Sequence, residues 1–333
     1  MMNYIVCGNI LDDVHVEEEL KKYQDHRPQK KENVGPYVQG YDIGAQRVNN
    51  GYPNIDISKD VNVESIQILE MNVRIYRSKG AKGALPCICY LHGGGFCAGS
   101  LDAVEHPCKR LAELSSSCVI SLDYGLAPEY PFPYAIHQCF EVTRYLYEHA
   151  EQYNIDKNHI ALAGDSAGAN IALGVAQLDA AQSSILSFLM LYYPVVDQRI
   201  EKEYTWEFAY YGKKSNPYID ACVTSLKDCE KMFQVCYLQG SDSTNTLASP
   251  ILLETLKGLP PIRLCVAEFD YLRVSQEKFY QKFKEKHDIE LVCYAGVNHA
   301  FLDKLGVFPQ ADHSLKYFAN QWKDDIGGKK HGE

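Results

Sequence analysis

Residues 160–170, IALAGDSAGAN, constrain the fold more than any other stretch of the chain. An apolar run leads into Gly164-Asp165-Ser166-Ala167-Gly168, and the small residues Ala169, Ala172 and Gly174 follow. The apolar run reads as a buried strand and the small-residue run as a helix with a close-packing face. A strand, a sharp turn bearing serine and then a helix strain the serine backbone and lift its hydroxyl above the sheet edge. Strand and helix approach closely there, so the positions two before and two after the serine carry glycine, Gly164 and Gly168. Ala167 is small for the same reason. Its N–H, at the helix start, points to where an oxyanion would form.

The surrounding chain repeats the rhythm. VESIQIL and NVRIYRS alternate like two antiparallel strands, and PCICYLHGGG, SCVISLDY and HIALAGDS read as buried strands of a mostly parallel sheet. FPYAIHQCFEVTRYLYEHAEQY has helical periodicity. After the serine turn come helix AGANIALGVAQLDAA and strand ILSFLMLYYPVV. Residues 198–227 break the pattern with Tyr204, Trp206, Phe208, Tyr210, Tyr211 and Tyr218 among Lys and Glu. It resumes with helix LKDCEKMFQVCYLQ, strand PIRLCVAEFD, helix VSQEKFYQKFKEK, strand IELVCYAG and a final helix before Trp322. Alternating strands and helices place the chain in the α/β class. Residues 1–60 are charged and irregular, with a helix-like VHVEEELKKY, and the tail GGKKHGE reads as frayed.

Composition removes several function classes. The net charge of -10 argues against a nucleic-acid partner, because phosphate binding needs a basic surface. The 12 cysteines are scattered without a CxxC, so neither structural zinc nor a disulfide framework is expected. Cys222, Cys229 and Cys236 recur at helical spacing and read as one buried face. Such usage suits a reducing cytoplasm. The start lacks the pattern of a signal peptide, and no apolar run is long enough to span a bilayer. The expectation is a soluble cytoplasmic protein. Its oligomeric state is not readable, and a homodimer stays open.

A serine raised on such a turn needs a base, and the base needs an orienting acid, both at later strand ends. PPIRLCVAEFDYLR ends a strand at Asp270, and IELVCYAGVNHAF ends the next at His299. Asp270 is preferred over Glu268, which falls inside the strand, and over Asp242, which lies away from a strand end. Upstream, a buried strand runs into His92-Gly93-Gly94-Gly95. The bare amides of Gly93 and Gly94 are expected to face an oxyanion beside Ala167, with His92 orienting the loop. Cys97 reads as a buried, inert thiol.

These residues together resemble the hormone-sensitive-lipase-like branch of the α/β-hydrolase family, known for an HGGG loop, a GDSAG turn and a late Asp and His. LDYGLAPEYPFPYAI is similar to its D-Y-R-L-A-P-E-x-x-F-P segment, and the resemblance covers about residues 60 to 320. It implies an α/β-hydrolase fold over 61–325, capped by segment 1–60 and an insertion at about 198–227. It implies hydrolysis of small-molecule carboxylic esters, short acyl groups from acetyl to butyryl being favoured, with Ser166, Asp270 and His299 as catalytic residues. Neither metal nor cofactor is expected. Some relatives that lost the histidine are receptors, which His299 weighs against; an amidase or peptidase with the same residues is a further alternative. Asp165 is expected to be a structural hydrogen-bonding acid. Two positions depart from the family pattern: Gly125 stands where arginine is usual, and Ala300 where glycine is common.

Overall fold

In the computed structural model, which describes residues 3–5, 31–50, 54–199, 201–207 and 217–328, the apolar runs become strands of one sheet. They are β4 (Val61–Ile68), β5 (Met71–Ser78), β6 (Leu85–Leu91), β7 (Cys118–Leu122), β8 (Ile155–Asp165), β9 (Leu186–Tyr192), β10 (Ile262–Phe269) and β11 (Ile289–Asn298). A short β1 (Asn3–Ile5) joins one edge, giving the order β1-β11-β10-β9-β8-β6-β7-β5-β4. Seven neighbouring strands, from β1 to β7 in that order, run parallel. Only β5 opposes its neighbours, pairing antiparallel with β7 and β4. Every residue of β7 and β10 is buried, as strands covered on both faces require. The edge strand β4 is largely exposed and correspondingly polar.

Seven α-helices are present among the described residues: α1 (Ile43–Val48), α2 (Glu105–Ser115), α3 (Tyr134–Glu148), α4 (Ala167–Gln182), α5 (Pro217–Met232), α6 (Arg273–Phe283) and α7 (Pro309–Ile326). Helix α3 packs on α4, and α2 on α7. The fully buried Trp322 of α7 donates its indole N–H to Ser117 just before β7, at 3.0 Å. None of these helices is long and apolar enough to cross a membrane.

The differences from the sequence reading are local. Strand β1, helices α1 and α2 and a small hairpin, β2 (Tyr37–Val38) with β3 (Tyr41–Asp42), were not anticipated; elements this short or this polar carry little periodicity. Strand β8 starts at Ile155, through the polar DKNH that hid its first turn of pairing. The helix expected from residue 226 begins at Pro217, a residue suited to the first helical position, and yields to a π-helical stretch over Phe233–Leu238. It therefore passes unbroken through residue 227. Cys236 is buried, but Cys222 and Cys229 are half-exposed, so the three thiols do not form one buried face. Among the described residues, none of the 11 cysteines is paired in a disulfide. The helix-like residues 14–23, the aromatic residues Phe208, Tyr210 and Tyr211, and residues 329–333 lie outside the described residues.

Candidate active site

Ser166 sits between the end of β8 and the first residue of α4, with φ 53° and ψ -116°. That backbone is unfavourable for a residue with a side chain, costing about 1–3 kcal/mol, and persists only when its surroundings over-determine it. They do so here. A Cβ on Gly164 would lie 2.8 Å from the Gly168 carbonyl group, and one on Gly168 only 2.1 Å from the carbonyl oxygen of Leu91 on β6. The Ser166 N–H donates to the Tyr192 carbonyl at 2.9 Å, and its own carbonyl accepts from Asn170 and Val195, each at 3.2 Å. Turn, helix and neighbouring strands thus close on one conformation.

Strand β11 ends beside β10, and the residues after the two strands meet. His299 Nδ1 lies 2.7 Å from Asp270 Oδ2, and His299 Nε2 lies 2.8 Å from Ser166 Oγ. Asp270 is buried, and its other oxygen accepts the Leu272 N–H at 2.8 Å, which fixes the carboxylate plane. A carboxylate on Nδ1 selects the tautomer that leaves Nε2 as an acceptor for the serine hydroxyl. The Tyr193 ring meets the imidazole edge-on, 4.9 Å between centroids. Glu268 is turned elsewhere and accepts the Gly296 N–H at 2.8 Å, while Asp242 bonds Thr244 on the surface. Ala300 has φ 59°, which explains why glycine suits that position.

The glycine run requires a correction. The Gly93 N–H donates to Asp165 Oδ1 at 2.9 Å, so it does not face an incoming oxyanion. The Gly94 and Gly95 N–H groups make no hydrogen bond among the described residues and border the same cavity as Ser166. The available pair is therefore one residue later than expected, and Gly95 was missed; three identical residues offered no signal to fix the register. Asp165 also accepts from the Tyr90 hydroxyl at 3.0 Å. Burial pushes its carboxyl up to about 6. His92 lies under this loop, stacked on Tyr124 at 4.3 Å, with Nδ1 2.8 Å from the Gly93 carbonyl. Burial holds its imidazole below the usual value, so it orients the loop as a neutral ring. Burial likewise raises the Cys97 thiol, in keeping with an inert side chain.

A cavity of about 160 Å³ opens over Ser166 and His299. Leu226, Cys229, Met232 and Phe233 form one apolar wall, and Gln46 and Asn50 a polar one. The described aromatic residues of the expected insertion, Tyr204, Trp206 and Tyr218, do not line it. Tyr204 instead hydrogen-bonds Asp197, and Trp206 is buried in the core. At Gly125 a Cβ would lie 2.8 Å from the Tyr130 and Tyr134 rings, so this aromatic pair occupies the room a side chain would need.

Comparison with known proteins gives a consistent picture. A family model described as the α/β-hydrolase fold matches residues 88–303. Esterase LipI of Mycobacterium tuberculosis is 36% identical over 236 residues, 68% of this chain and 68% of its own length. Ethyl acetate hydrolase of Pseudomonas putida is 28% identical over 249 residues, 73% of this chain and 75% of its own. The solved structure of a hyperthermophilic esterase from Pyrobaculum calidifontis superimposes with a TM-score of 0.68 at 27% identity, covering 81% of this chain and 87% of that one.

Proposed function

The chain belongs to the hormone-sensitive-lipase-like branch of the α/β-hydrolase-fold family and is a carboxylic-ester hydrolase, and from that premise we propose that it works through an acyl-enzyme on Ser166 and prefers short acyl groups, acetyl to butyryl. The observation that carries the mechanism is the hydrogen-bonded relay Ser166–His299–Asp270, with both links at 2.8 Å or less.

His299 Nε2 takes the Ser166 proton as Oγ attacks the acyl carbon. Asp270 holds the imidazole in that tautomer and stabilises the imidazolium. The Gly94, Gly95 and Ala167 N–H groups stabilise the tetrahedral oxyanion, each donor contributing roughly 3 kcal/mol. Asp165, bonded to Gly93, holds the loop that presents them. His299 then returns its proton to the leaving alcohol, the C–O bond breaks, and water repeats the sequence on the acyl-enzyme.

The acyl preference is supported by room. A cavity of about 160 Å³ is well below the 300–1,000 Å³ of pockets that enclose larger ligands. Hydrolysis of p-nitrophenyl esters from acetyl to dodecanoyl, with Ser166→Ala in parallel, tests both parts. Activity confined to short chains and abolished in the variant is expected. Activity that rises toward dodecanoyl would overturn the acyl preference, and a variant as active as the native protein would overturn the role of Ser166.

A further inference from the structure

The polar wall of the cavity comes from the N-terminal segment, and that segment is fastened at two points. At one end is Arg47 in α1. Its Nη1 and Nη2 grip both oxygens of Glu129, at 2.9 and 2.6 Å. Its Nε donates to the Cys97 carbonyl at 3.0 Å, and Nη2 also to the Ala127 carbonyl at 3.2 Å. One guanidinium thus joins α1 to the chain just beyond Gly93–Gly95 and to the loop that follows Gly125. At the other end the Ile55 N–H donates to the Leu305 carbonyl at 2.8 Å, on the loop that begins at His299. Gln46, next to the Arg47 fastening, and Asn50, between the two, are exposed and border the cavity.

The sides of the cavity follow from the chemistry. His299 must reach the leaving oxygen to protonate it, so the leaving alcohol lies along the His299 loop, where the N-terminal segment is tied and where Asp303 also borders the cavity. The apolar wall lies elsewhere, with the Phe233 ring packed over Gly95. Carboxamides both donate and accept, which suits hydroxyl groups. We infer that Gln46 and Asn50 bind a leaving alcohol that itself carries hydroxyl groups, as in esters of polyols, and that Arg47 is the positioning residue that holds them there.

Isolated surface ion pairs contribute little, but this one is bidentate and adds two carbonyl contacts, so the geometry it sets is specific. Hydrogen bonds to the alcohol act only before it departs. They therefore raise the rate of acylation without touching hydrolysis of the acyl-enzyme.

The inference rests on the ester-hydrolase reading, and two acetate esters separate the two. Propyl acetate and glycerol 1-acetate share the acyl group and the carbon skeleton, and differ by two hydroxyls on the alcohol. The native protein is expected to prefer glycerol 1-acetate in kcat/KM by roughly tenfold, the size of one or two hydrogen bonds. Arg47→Ala, Gln46→Ala and Asn50→Ala should each reduce that ratio, lowering kcat/KM for glycerol 1-acetate by about threefold or more beyond any change for propyl acetate, the size of a hydrogen bond. Arg47→Ala combined with Asn50→Ala should do no more than Arg47→Ala alone, because both remove the same contact. Should Arg47→Ala not fold, Glu129→Gln loosens the same clasp and Asn50→Ala probes the wall directly. A native protein that hydrolyses both esters equally well overturns the inference and leaves the enzyme reading standing. So does an Arg47 variant that slows both esters by one factor. No hydrolysis of either ester or of p-nitrophenyl acetate would overturn the enzyme reading itself.

Discussion

The floor and the cover of this cavity are built on different principles. The floor is the turn at Ser166, where backbone meets backbone: Gly164 against Gly168, and Gly168 against the Leu91 carbonyl. The serine conformation is unfavourable alone and is held by contacts from three strands and a helix. The cover is made of side chains on separable elements. Helix α5 brings Leu226 and Cys229 as half-buried neighbours of the cavity, and α1 is held by the Arg47 clasp. Reacting atoms need placement to a fraction of an ångström, which close-packed backbone supplies. Substrate choice needs only a wall of the right shape and polarity, and such a wall can change while the floor stays fixed.

The contrast can be tested from its strongest side. Ser166→Ala should lower kcat by about 10⁶-fold, since the members of such a relay act as a unit, while unfolding in urea stays close to native. Next is Gly168→Ala. Its methyl would meet a carbonyl oxygen that cannot swing aside, so a stability loss of about 3 kcal/mol or more is expected by urea denaturation. A loss below 1 kcal/mol would mean that the floor yields as readily as the cover.

Asp165 gives the floor a pH dependence. Its folded carboxyl is pushed up to about 6 from an ordinary 3.8, so the native state binds its proton more tightly than the unfolded chain. The associated stability is full below about pH 4 and is lost as pH rises through 6. Asp165→Asn keeps an oxygen for Tyr90 and Gly93 but cannot ionise. Its stability relative to the native protein should therefore rise by up to about 3 kcal/mol between pH 4 and 7, read by urea unfolding at both pH values. A fall over that range would mean that the ionised form is the one the fold prefers.

The cover should respond more gently. Leu226→Ala is expected to cost about 1 kcal/mol, because the side chain is only partly buried, and to leave kcat for p-nitrophenyl acetate within a few-fold. Hydrolysis of longer acyl esters should improve as the wall recedes. The smallest effect is expected at Ala300→Gly, which relieves a φ of 59° and should gain up to about 1 kcal/mol in thermal unfolding with little change in rate.

Legibility in the sequence followed the range of the interactions involved. Strands β4 to β11 were readable because apolar runs and their punctuation are local, and so was the turn at Ser166, whose glycines report a clash between residues four apart. The pairing of His299 with Asp270 was expected from their positions at the ends of β11 and β10, and the two residues do meet. Strand β1 was not legible: three residues show no period, and their pairing with Val292–Tyr294 is a contact across nearly the whole chain. Gln46, Asn50 and Arg47 were equally silent: Arg47 is held by Cys97 and Glu129, 50 and 82 residues further on, and the cavity that Gln46 and Asn50 border is otherwise lined by residues far along the chain, such as Ser166 and His299.

The glycine run marks the boundary between the two kinds of information. That His92 to Gly95 would expose backbone amides after a buried strand was evident from residue types alone. Which of those amides stay available was decided by a carboxylate 72 residues later, when Asp165 took the Gly93 N–H. Local sequence determined the strand, the turn and the order of serine, acid and histidine, because steric exclusion and hydrophobic burial act through neighbours along the chain. Only the tertiary structure decided the register of the amide pair and the origin of the polar wall, because hydrogen bonds of 3 Å depend on how distant segments are oriented once packed.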